Sequence, residues 1–381
     1  MRIVAVSWRD LSHPSAGGAE VLIDRLLGGL ASRGHEVTLI CGGPVTEHAF
    51  EVVDAGGTYS QYLRAPYLCR RRFRDADVLI DAQNGLPFFS PLWWPKTSMC
   101  LVHHIHTDQW ETRFPRPMAA VLKEVERRLM PVVYGRRRYV AISRSTLEGL
   151  VDIGVRREAI SVIESGVDIP SGPMPARSKD PLFLSVNRLV PHKRIDLLLR
   201  AWAITGSALP RGRLLVAGDG PELAALRRQA TSIPGVEILG RISEDQKQDL
   251  LARAWAMVTA AHHEGWGMSI MEAAATGTPA LAVDVPGVRD AIVDGTTGVL
   301  VRPAFEAEIP DAFAKAMLEF TTDAGRRETL GRNARERAGE FTWSRTTELW
   351  ERLLDEVAAS GSGRAAPSSV GRAGTGAPRC R

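Results

Sequence analysis

The sequence has few cysteines and no long apolar run. Its four cysteines, Cys41, Cys69, Cys100 and Cys380, show neither CxxC nor metal-ligand spacing, which argues against a disulfide framework or a zinc site. No apolar run approaches the roughly 18 residues that a membrane-spanning helix needs, and the N-terminal run Arg2–Ser7 is too short for a signal peptide. These absences predict a cytoplasmic protein without a transmembrane segment.

A strong charge of one sign is also missing from the body of the chain. The C-terminal segment Ser360–Arg381 carries four arginines and no acid, and these four charges account for the formal net charge of +4. The remaining sequence is therefore close to neutral, which predicts that nucleic acid is not a partner. The segment is rich in Gly, Ser, Ala and Pro without apolar periodicity, so we expect a disordered tail.

Short β-branched runs alternate with helical patterns from the first residue to about Glu340, as in parallel α/β proteins. Single cores stop growing at roughly 250–300 residues, so two doubly wound sheets are expected. The predicted strands are Arg2–Ser7, Val37–Cys41, Val78–Ala82, Ser98–His103, Tyr139–Ile142, Leu182–Val186, Arg213–Ala217, Val236–Leu239, Met257–Ala260 and Ala280–Val283.

A proline-rich stretch, Gly166–Asp180, separates the two sets of strands and predicts a linker. The last periodic helix, near Trp343–Ala359, follows the second set and could pack on either domain. The predicted units are a first domain at 1–168, a linker at 169–181, a second domain at 182–342, a final helix at 343–359 and a tail at 360–381.

The strongest local pattern is the segment that runs from Glu264 to Glu272 between a strand and a helix. A helix that begins near Met268 offers free N–H groups to an anion such as a diphosphate, and Gly265 and Gly267 allow a ligand close to the backbone. Glu264 could accept hydrogen bonds from sugar hydroxyls, and Glu272 could bind a ribose diol. Alternatively, Glu272 only complements the helix dipole.

Other loops that follow strands carry cations or glycines. Arg188 and Lys193 follow the first strand of the second domain and could bind the same diphosphate, although solvated cations would look alike. Gly218 lies in a tight turn that resembles a nucleotide loop, although a purely structural turn is equally consistent. Gly17 and Gly18 open a helix and could bring the backbone close to a ligand or only to the sheet.

Three histidines, His103, His104 and His106, crowd the end of a first-domain strand. Their His-x-His spacing is found in metal sites, but no third ligand follows at a convincing spacing, so no metal is predicted. A histidine that hydrogen-bonds or handles a proton at a cleft is the preferred interpretation.

Two basic runs with aromatic residues nearby could form a surface for a membrane or an anionic acceptor. They are Arg70–Arg74 and Arg136–Arg138, with Trp93 and Trp94 close in sequence. A solvated face explains them equally well, so peripheral membrane contact is one of two open alternatives.

At these residues the chain resembles the retaining glycosyltransferases of family four, most specifically in Glu264-x7-Glu272, and the resemblance covers nearly all of residues 1–359. It implies a GT-B fold, in which two Rossmann-like domains face each other across a cleft and a final helix returns to the first. It also implies transfer from a nucleoside diphosphate sugar to a small-molecule, lipid-linked or glycan hydroxyl, with no metal or cofactor.

The resemblance also assigns roles to residues. Arg188 and Lys193 would bind the diphosphate, Glu264 the donor sugar and Glu272 the ribose, while Ile242 would border the base. The full set of predicted donor-binding residues is Gly17, Gly18, Arg188, Lys193, Gly218, Ile242, Glu264, Gly265, Trp266, Gly267, Met268 and Glu272.

The family's histidine near the reacting carbon aligns with His106, with His104 as the second choice. The predicted catalytic residues are therefore His106, Glu264, Arg188 and Lys193. The sequence departs from the family pattern at Trp266, where Phe is more usual, and just before the motif at His262–His263.

Three other functions remain to be separated from glycosyl transfer. A nucleotide-sugar epimerase can use the same fold, and a non-catalytic protein could bind a sugar nucleotide without turning it over. A nicotinamide dehydrogenase is disfavoured, because neither domain has G-x-G-x-x-G after its first strand.

Overall fold

A computed structural model describes residues 1–14, 16–106, 110–135 and 137–361. These residues form two parallel β-sheets, one of seven strands and one of six, with helices packed on both. The α/β class predicted from the alternating sequence pattern is confirmed.

The first sheet has the strand order β3-β2-β1-β4-β5-β6-β7. Its strands, which are all parallel, are β1 (Arg2–Arg9), β2 (Glu36–Gly42), β3 (Glu51–Asp54), β4 (Val78–Gln83), β5 (Ser98–Val102), β6 (Arg138–Ala141) and β7 (Ile160–Val162).

The second sheet has the order β10-β9-β8-β11-β12-β13. Its parallel strands are β8 (Leu182–Val186), β9 (Arg213–Ala217), β10 (Val236–Gly240), β11 (Ala256–Thr259), β12 (Ala280–Val283) and β13 (Gly298–Val301). The chain order reverses beside β1 in one sheet and beside β8 in the other, where open α/β sheets form ligand crevices.

The helices cover the faces of the sheets. They are α1 (Gly18–Ser32), α2 (Gln61–Arg72), α3 (Trp110–Arg113), α4 (Arg116–Glu124), α5 (Met130–Tyr134), α6 (Arg144–Asp152), α7 (Ile195–Thr205), α8 (Leu223–Ala230), α9 (Glu244–Arg253), α10 (Met268–Ala275), α11 (Val288–Ala291), α12 (Ile309–Thr322), α13 (Ala324–Ala338) and α14 (Trp343–Gly361).

The sequence analysis missed three strands, β3, β7 and β13, and all three lie at sheet edges. A strand that is short and only partly buried lacks the apolar run that marks a central strand. β3 shows this directly, because none of its four residues is fully buried.

The final helix α14 packs on α1 of the first sheet, although it follows the second sheet in the chain. Glu351 binds Arg33 and His35, with nitrogen–oxygen distances of 2.9 Å to each, and Trp350 is fully buried. The chain crosses between the sheets twice, once near Val167 and once near Phe341. The two crossings lie side by side, since the Val167 N–H donates to the Phe341 carbonyl at 2.7 Å. Helix α14 includes residues 360 and 361, which the sequence assigned to the tail. The rest of the predicted tail, 362–381, lies outside the described residues.

The two tryptophans near the basic runs are mostly covered by the first domain. Trp94 is 2% exposed and packs in the core of the first domain, and the Trp93 indole N–H donates to the Phe88 carbonyl. Trp94 therefore contributes no aromatic surface beside Arg70–Arg72, whereas Trp93 is only partly buried. Across the ranges the structure describes, no helix has the length and apolarity required to cross a bilayer.

Two adjacent glycines of α1 test the packing of α14. A Cβ at Gly29 would lie 2.4 Å from Thr347 Oγ1, whereas one at Gly28 would meet only Phe50, at 4.0 Å. We expect Gly29→Ala to lower the free energy of unfolding by about 1–3 kcal/mol through overpacking. Gly28→Ala should instead raise it by about 0.5–1 kcal/mol, because alanine restricts the unfolded chain. Urea unfolding measures both, and equal changes would contradict the packing.

Candidate functional site

A cavity of about 540 Å³ lies between the carboxyl ends of the two sheets. It collects the loops that follow β1, β4 and β5 on one side and those that follow β8, β9, β10 and β11 on the other. The predicted residues that line it are Gly17, Gly18, Arg188, Lys193, Gly218, Ile242, Glu264, Gly265, Trp266, Gly267, Met268 and Glu272.

The loop between β11 and α10 brings its backbone against the opposite domain. A Cβ on Gly265 would lie 2.8 Å from the His103 carbonyl oxygen, so only glycine allows this approach. Gly267 caps α10 with φ +78°, a conformation that other residues rarely adopt. The N-terminus of α10 is thereby presented to the cavity together with Glu264.

The start of α1 forms the facing wall. The Gly17 N–H donates to Glu20 Oε2 at 2.6 Å, and Glu20 Oε1 accepts from Arg9 Nε at 2.8 Å and from Asn84 Nδ2 at 3.0 Å. Glu20 is only 3% exposed. It therefore ties the glycine loop to the ends of β1 and β4.

Gly17 and Gly18 both lie close to side chains of the second domain. A Cβ at Gly17 would lie 3.2 Å from Arg188 Nε, and one at Gly18 would lie 3.0 Å from Met268 Sδ. Absence of a side chain at these positions lets Arg188 reach across to the first domain.

Arginine and lysine side chains line the cavity from both domains. Burial lowers the pKa of the Arg188 guanidinium, and the charge of Arg9 lowers it further, while Glu20 and Glu264 oppose the change. Lys193 forms an ion pair with Glu264, and both side chains are largely buried. Partly desolvated cations in a cleft favour an anionic ligand.

The structure explains why glycine stands at position 218, which the sequence alone left open. Its φ is +143°, and a Cβ there would lie 1.7 Å from the Asn187 carbonyl oxygen. The turn after β9 is therefore packed directly on the loop after β8, next to Arg188. Gly218 lines the cavity as well, so the structural and the ligand-facing interpretations are compatible.

Glu272 pairs with a lysine that the sequence analysis missed. Lys247 Nζ lies 2.9 Å from Glu272 Oε1 and 2.9 Å from Glu244 Oε1. Burial raises the pKa of Glu272, and the charge of Lys247 opposes this. A carboxylate held this way at the cavity wall can accept hydrogen bonds from a ligand.

The histidines are arranged differently from the expectation. His103 and His104 line the cavity, but His106 does not. The His106 ring is 1% exposed and lies behind His104, with ring centroids 3.9 Å apart. The placement of His106 in the cleft is therefore wrong, because the chain turns after His104 and directs the His106 ring into the first domain.

The indole of Trp266 also points away from the cavity. Its ring packs on Phe341 with centroids 5.0 Å apart, and the residue is 3% exposed. An aromatic ring is required there by the core, which explains why Trp can stand where Phe is more usual.

The polar residues of the cavity that were not predicted as site residues include Arg9, Glu20, Asn84 and Lys247. Arg9 and Asn84 could have been found, because each lies at the carboxyl end of a central strand. Lys247 carried no such signal, since it belongs to the exposed-looking helix α9.

Two histidines of the site are held neutral. Burial lowers the pKa of His103 to about 3, and His106 adds to the effect. Burial also lowers the pKa of His263 to about 4, although Glu264 opposes it. Among the described residues, no group of three or more His, Cys, Asp and Glu side chains could hold a metal ion.

Two family models match the chain. Residues 16–170 match the model of Glycosyltransferase Family 4, and residues 172–337 match that of Glycosyl transferases group 1. The chain is 30% identical to the D-inositol 3-phosphate glycosyltransferase of Nocardia farcinica, over 97% of this chain and 93% of that relative.

A second relative, from Kribbella flavida, is also a D-inositol 3-phosphate glycosyltransferase. The identity is 32%, and the alignment covers 65% of this chain. The matched region spans 63% of the length of that relative, and the corresponding share is 60% for the relative from Geodermatophilus obscurus.

Solved structures share the fold at low identity. Anabaena Alr3699/HepE in complex with UDP and glucose has a TM-score of 0.75 and 17% identity, over 93% of this chain and all of that one. Sucrose-phosphate synthase from Thermosynechococcus elongatus has a TM-score of 0.76 and 20% identity, over 94% and 99%. The GT-B architecture expected from the sequence is confirmed.

The neutral histidines of the cavity predict a pH dependence of stability. Unfolded histidine binds a proton with a pKa of about 6.5, whereas folded His263 binds one only near pH 4. Between these values the unfolded state holds more protons, so stability falls as the pH falls, by about 1.4 kcal/mol per unit per histidine. We expect His263→Asn to reduce the slope measured by urea unfolding at pH 7, 6 and 5. An unchanged slope would contradict the burial.

Proposed function

This chain belongs to glycosyltransferase family 4, and we propose that it transfers a sugar from a nucleoside diphosphate sugar to an acceptor hydroxyl, with retention and without a metal ion. The observation that carries the proposal is the convergence on one cavity of Arg188 and Lys193 from the segment after β8, Glu264 from the loop after β11, and Glu272 from helix α10. The relatives and the solved neighbours support the donor class, since HepE was solved with UDP-glucose.

The cations are proposed to bind the diphosphate of the donor. Cleavage of a glycosidic C–O bond develops positive charge on the sugar and negative charge on the leaving diphosphate. Arg188, Lys193 and the N–H groups at the start of α10 would stabilise that negative charge as it forms. Because Arg188 is already partly desolvated, little solvent has to be displaced when the anion binds.

The two carboxylates are proposed to recognise different parts of the donor. Glu272 is held by Lys247, with nitrogen and oxygen 2.9 Å apart, and would accept hydrogen bonds from the ribose. Glu264 lies in the loop that faces the first domain and would accept from hydroxyls of the transferred sugar. Because Glu264 forms an ion pair with Lys193, the proposed sugar site would lie beside the proposed phosphate site.

His104 replaces His106 as the histidine proposed to contact the sugar near the reacting carbon. It lines the cavity and approaches His263 of the opposite domain, with ring centroids 5.2 Å apart. The acceptor would enter from the side of the first domain, where Arg9, Glu20 and Asn84 are grouped. Peripheral membrane contact remains a prediction.

Donor turnover without metal tests the proposed function. The full-length chain is incubated with UDP-, ADP- and GDP-glucose in EDTA, and release of the nucleoside diphosphate is followed with and without D-inositol 3-phosphate. We expect one of the nucleoside diphosphates to stabilise the fold by binding to it. The corresponding sugar nucleotide should be hydrolysed, or should donate its sugar with retention.

Strict dependence of turnover on Mg²⁺ or Mn²⁺ would contradict the charge argument. Interconversion of the donor sugar alone would indicate an epimerase, and binding without turnover would indicate a non-catalytic protein.

The separate roles of the carboxylates predict different defects. Glu272→Ala should weaken the binding of the nucleoside diphosphate itself, whereas Glu264→Ala should spare that binding and lower affinity or turnover for the sugar-bearing donor. One lost hydrogen bond to a charged group corresponds to about 1.5–3 kcal/mol. Calorimetric titration with the free diphosphate and with the intact donor separates them. If both variants weaken both ligands equally, the assignment is wrong.

A further inference from the structure

The turn that carries the cavity histidines is held from behind by a buried carboxylate that is absent from the cavity itself. Glu126 is fully buried in the first domain. Its Oε1 accepts from the His106 backbone N–H at 2.8 Å and from Gln83 Nε2 at 3.3 Å. Its Oε2 accepts from the Trp110 indole N–H at 3.2 Å. The carboxylate thus joins the His106 backbone and the Trp110 indole to Gln83 at the end of β4.

The helix that presents Glu126 is distorted at this residue. Val125–Leu129 form a π-helical turn between α4 and α5. Such turns are rare and occur frequently at functional sites, because an extra residue per turn redirects a side chain at a cost in helix stability. Here the redirected side chain is Glu126, while both Arg127 and Arg128, the next residues, are exposed.

The carboxylate also faces a histidine ring. Oε1 lies 3.5 Å from His106 Nδ1, and neither ring nitrogen of His106 has a hydrogen-bond partner in the described parts of the chain. A buried carboxylate is costly unless hydrogen bonds or a cation compensate its charge. His106 is an ionisable neighbour of this carboxylate, and its ring lies 3.9 Å from that of His104, measured between centroids.

These contacts form a continuous path from the core to the cavity: Glu126, then His106, then His104. We propose that Glu126 is a positioning residue that acts through His106 to hold the His104 ring against the transferred sugar. The inference rests on the proposed function, since it assigns a task to His104 in turnover. Glu126 itself touches no substrate.

The test is a double-mutant cycle on the full-length chain. Turnover is measured as release of the nucleoside diphosphate from UDP-, ADP- or GDP-glucose, whichever the wild-type chain hydrolyses fastest. We expect Glu126→Gln to lower kcat by at least about 10-fold, since a misplacement of 1 Å can cost about 10²-fold, while KM stays within about twofold. In a His104→Ala background the same change should have no further effect, because the path is already broken.

Glu124→Gln is the matched control. It removes an exposed carboxylate from the same helix, two residues away, whose partner is Arg128 at 2.8 Å. It should leave kcat and KM unchanged. An equal loss of kcat from Glu126→Gln in both backgrounds would make Glu126 an independent structural residue and overturn the proposal, as would a wild-type kcat in Glu126→Gln.

A second variant keeps the proposal testable if Glu126→Gln does not fold. His106→Phe keeps a ring against His104 but removes both nitrogens that face the carboxylate. A lower kcat at unchanged KM supports the path, and a wild-type kcat overturns it.

Failure of the proposed function can be told apart from failure of this inference. A wild-type chain that turns over none of the three sugar nucleotides contradicts the proposed function before any variant is made. The ring ¹⁵N resonances of the histidines then test the path directly. Glu126→Gln should shift those of both His106 and His104, Glu124→Gln should shift neither, and a shift confined to His106 would overturn the inference.

Discussion

The whole site depends on a close approach between two backbones. Gly265 of the second domain lies against the His103 carbonyl of the first, where a Cβ would come within 2.8 Å. Gly17 and Gly18 permit the same closeness to Arg188 and Met268. Because no side chain separates the domains at these points, loops from both sheets can line one small cavity. Larger residues at these three glycine positions would push the two domains apart.

Electrostatics follow from that closeness. The cleft brings Arg9 and Arg188 near each other and near Glu20 and Glu264, so each charge is partly removed from water and depends on its neighbours. In such surroundings charges interact more strongly than at a surface. A site of this kind is prepared for a ligand that carries both negative charge and hydroxyl groups. The neutral state of His103 and His263 avoids further positive charge in the same small volume.

The sequence predicted the central strands and the lining glycines well, because these features leave local patterns. Buried parallel strands are continuous apolar runs, and Gly-rich turns that follow them are recognisable on their own. The predictions failed where position depends on tertiary contacts. Spacing alone cannot say which of three neighbouring histidines faces the cleft, and the turn that hides His106 is held by Glu126, twenty residues further along the chain.

The edge strands and Lys247 show the same limit in a different way. β3 has no fully buried residue and β7 is only three residues long, so neither has the long apolar run of a central strand. Lys247 looks like a surface residue until α9 is placed beside α10. Trp94 could have been a surface residue by its sequence neighbourhood, yet it belongs to the core, and Trp93 packs against that core. The burial of a segment cannot be predicted from its own composition when the residues that cover it come from a distant part of the chain.

The packing of α14 on α1 also determines the order in which the protein can mature during synthesis. The first sheet is complete once residue 162 has been made, but the face of α1 that receives Trp350 and Glu351 stays uncovered until the last described helix leaves the ribosome. Domains usually fold as units as they emerge. In this chain the N-terminal unit receives its last helix only after the entire second domain has been made.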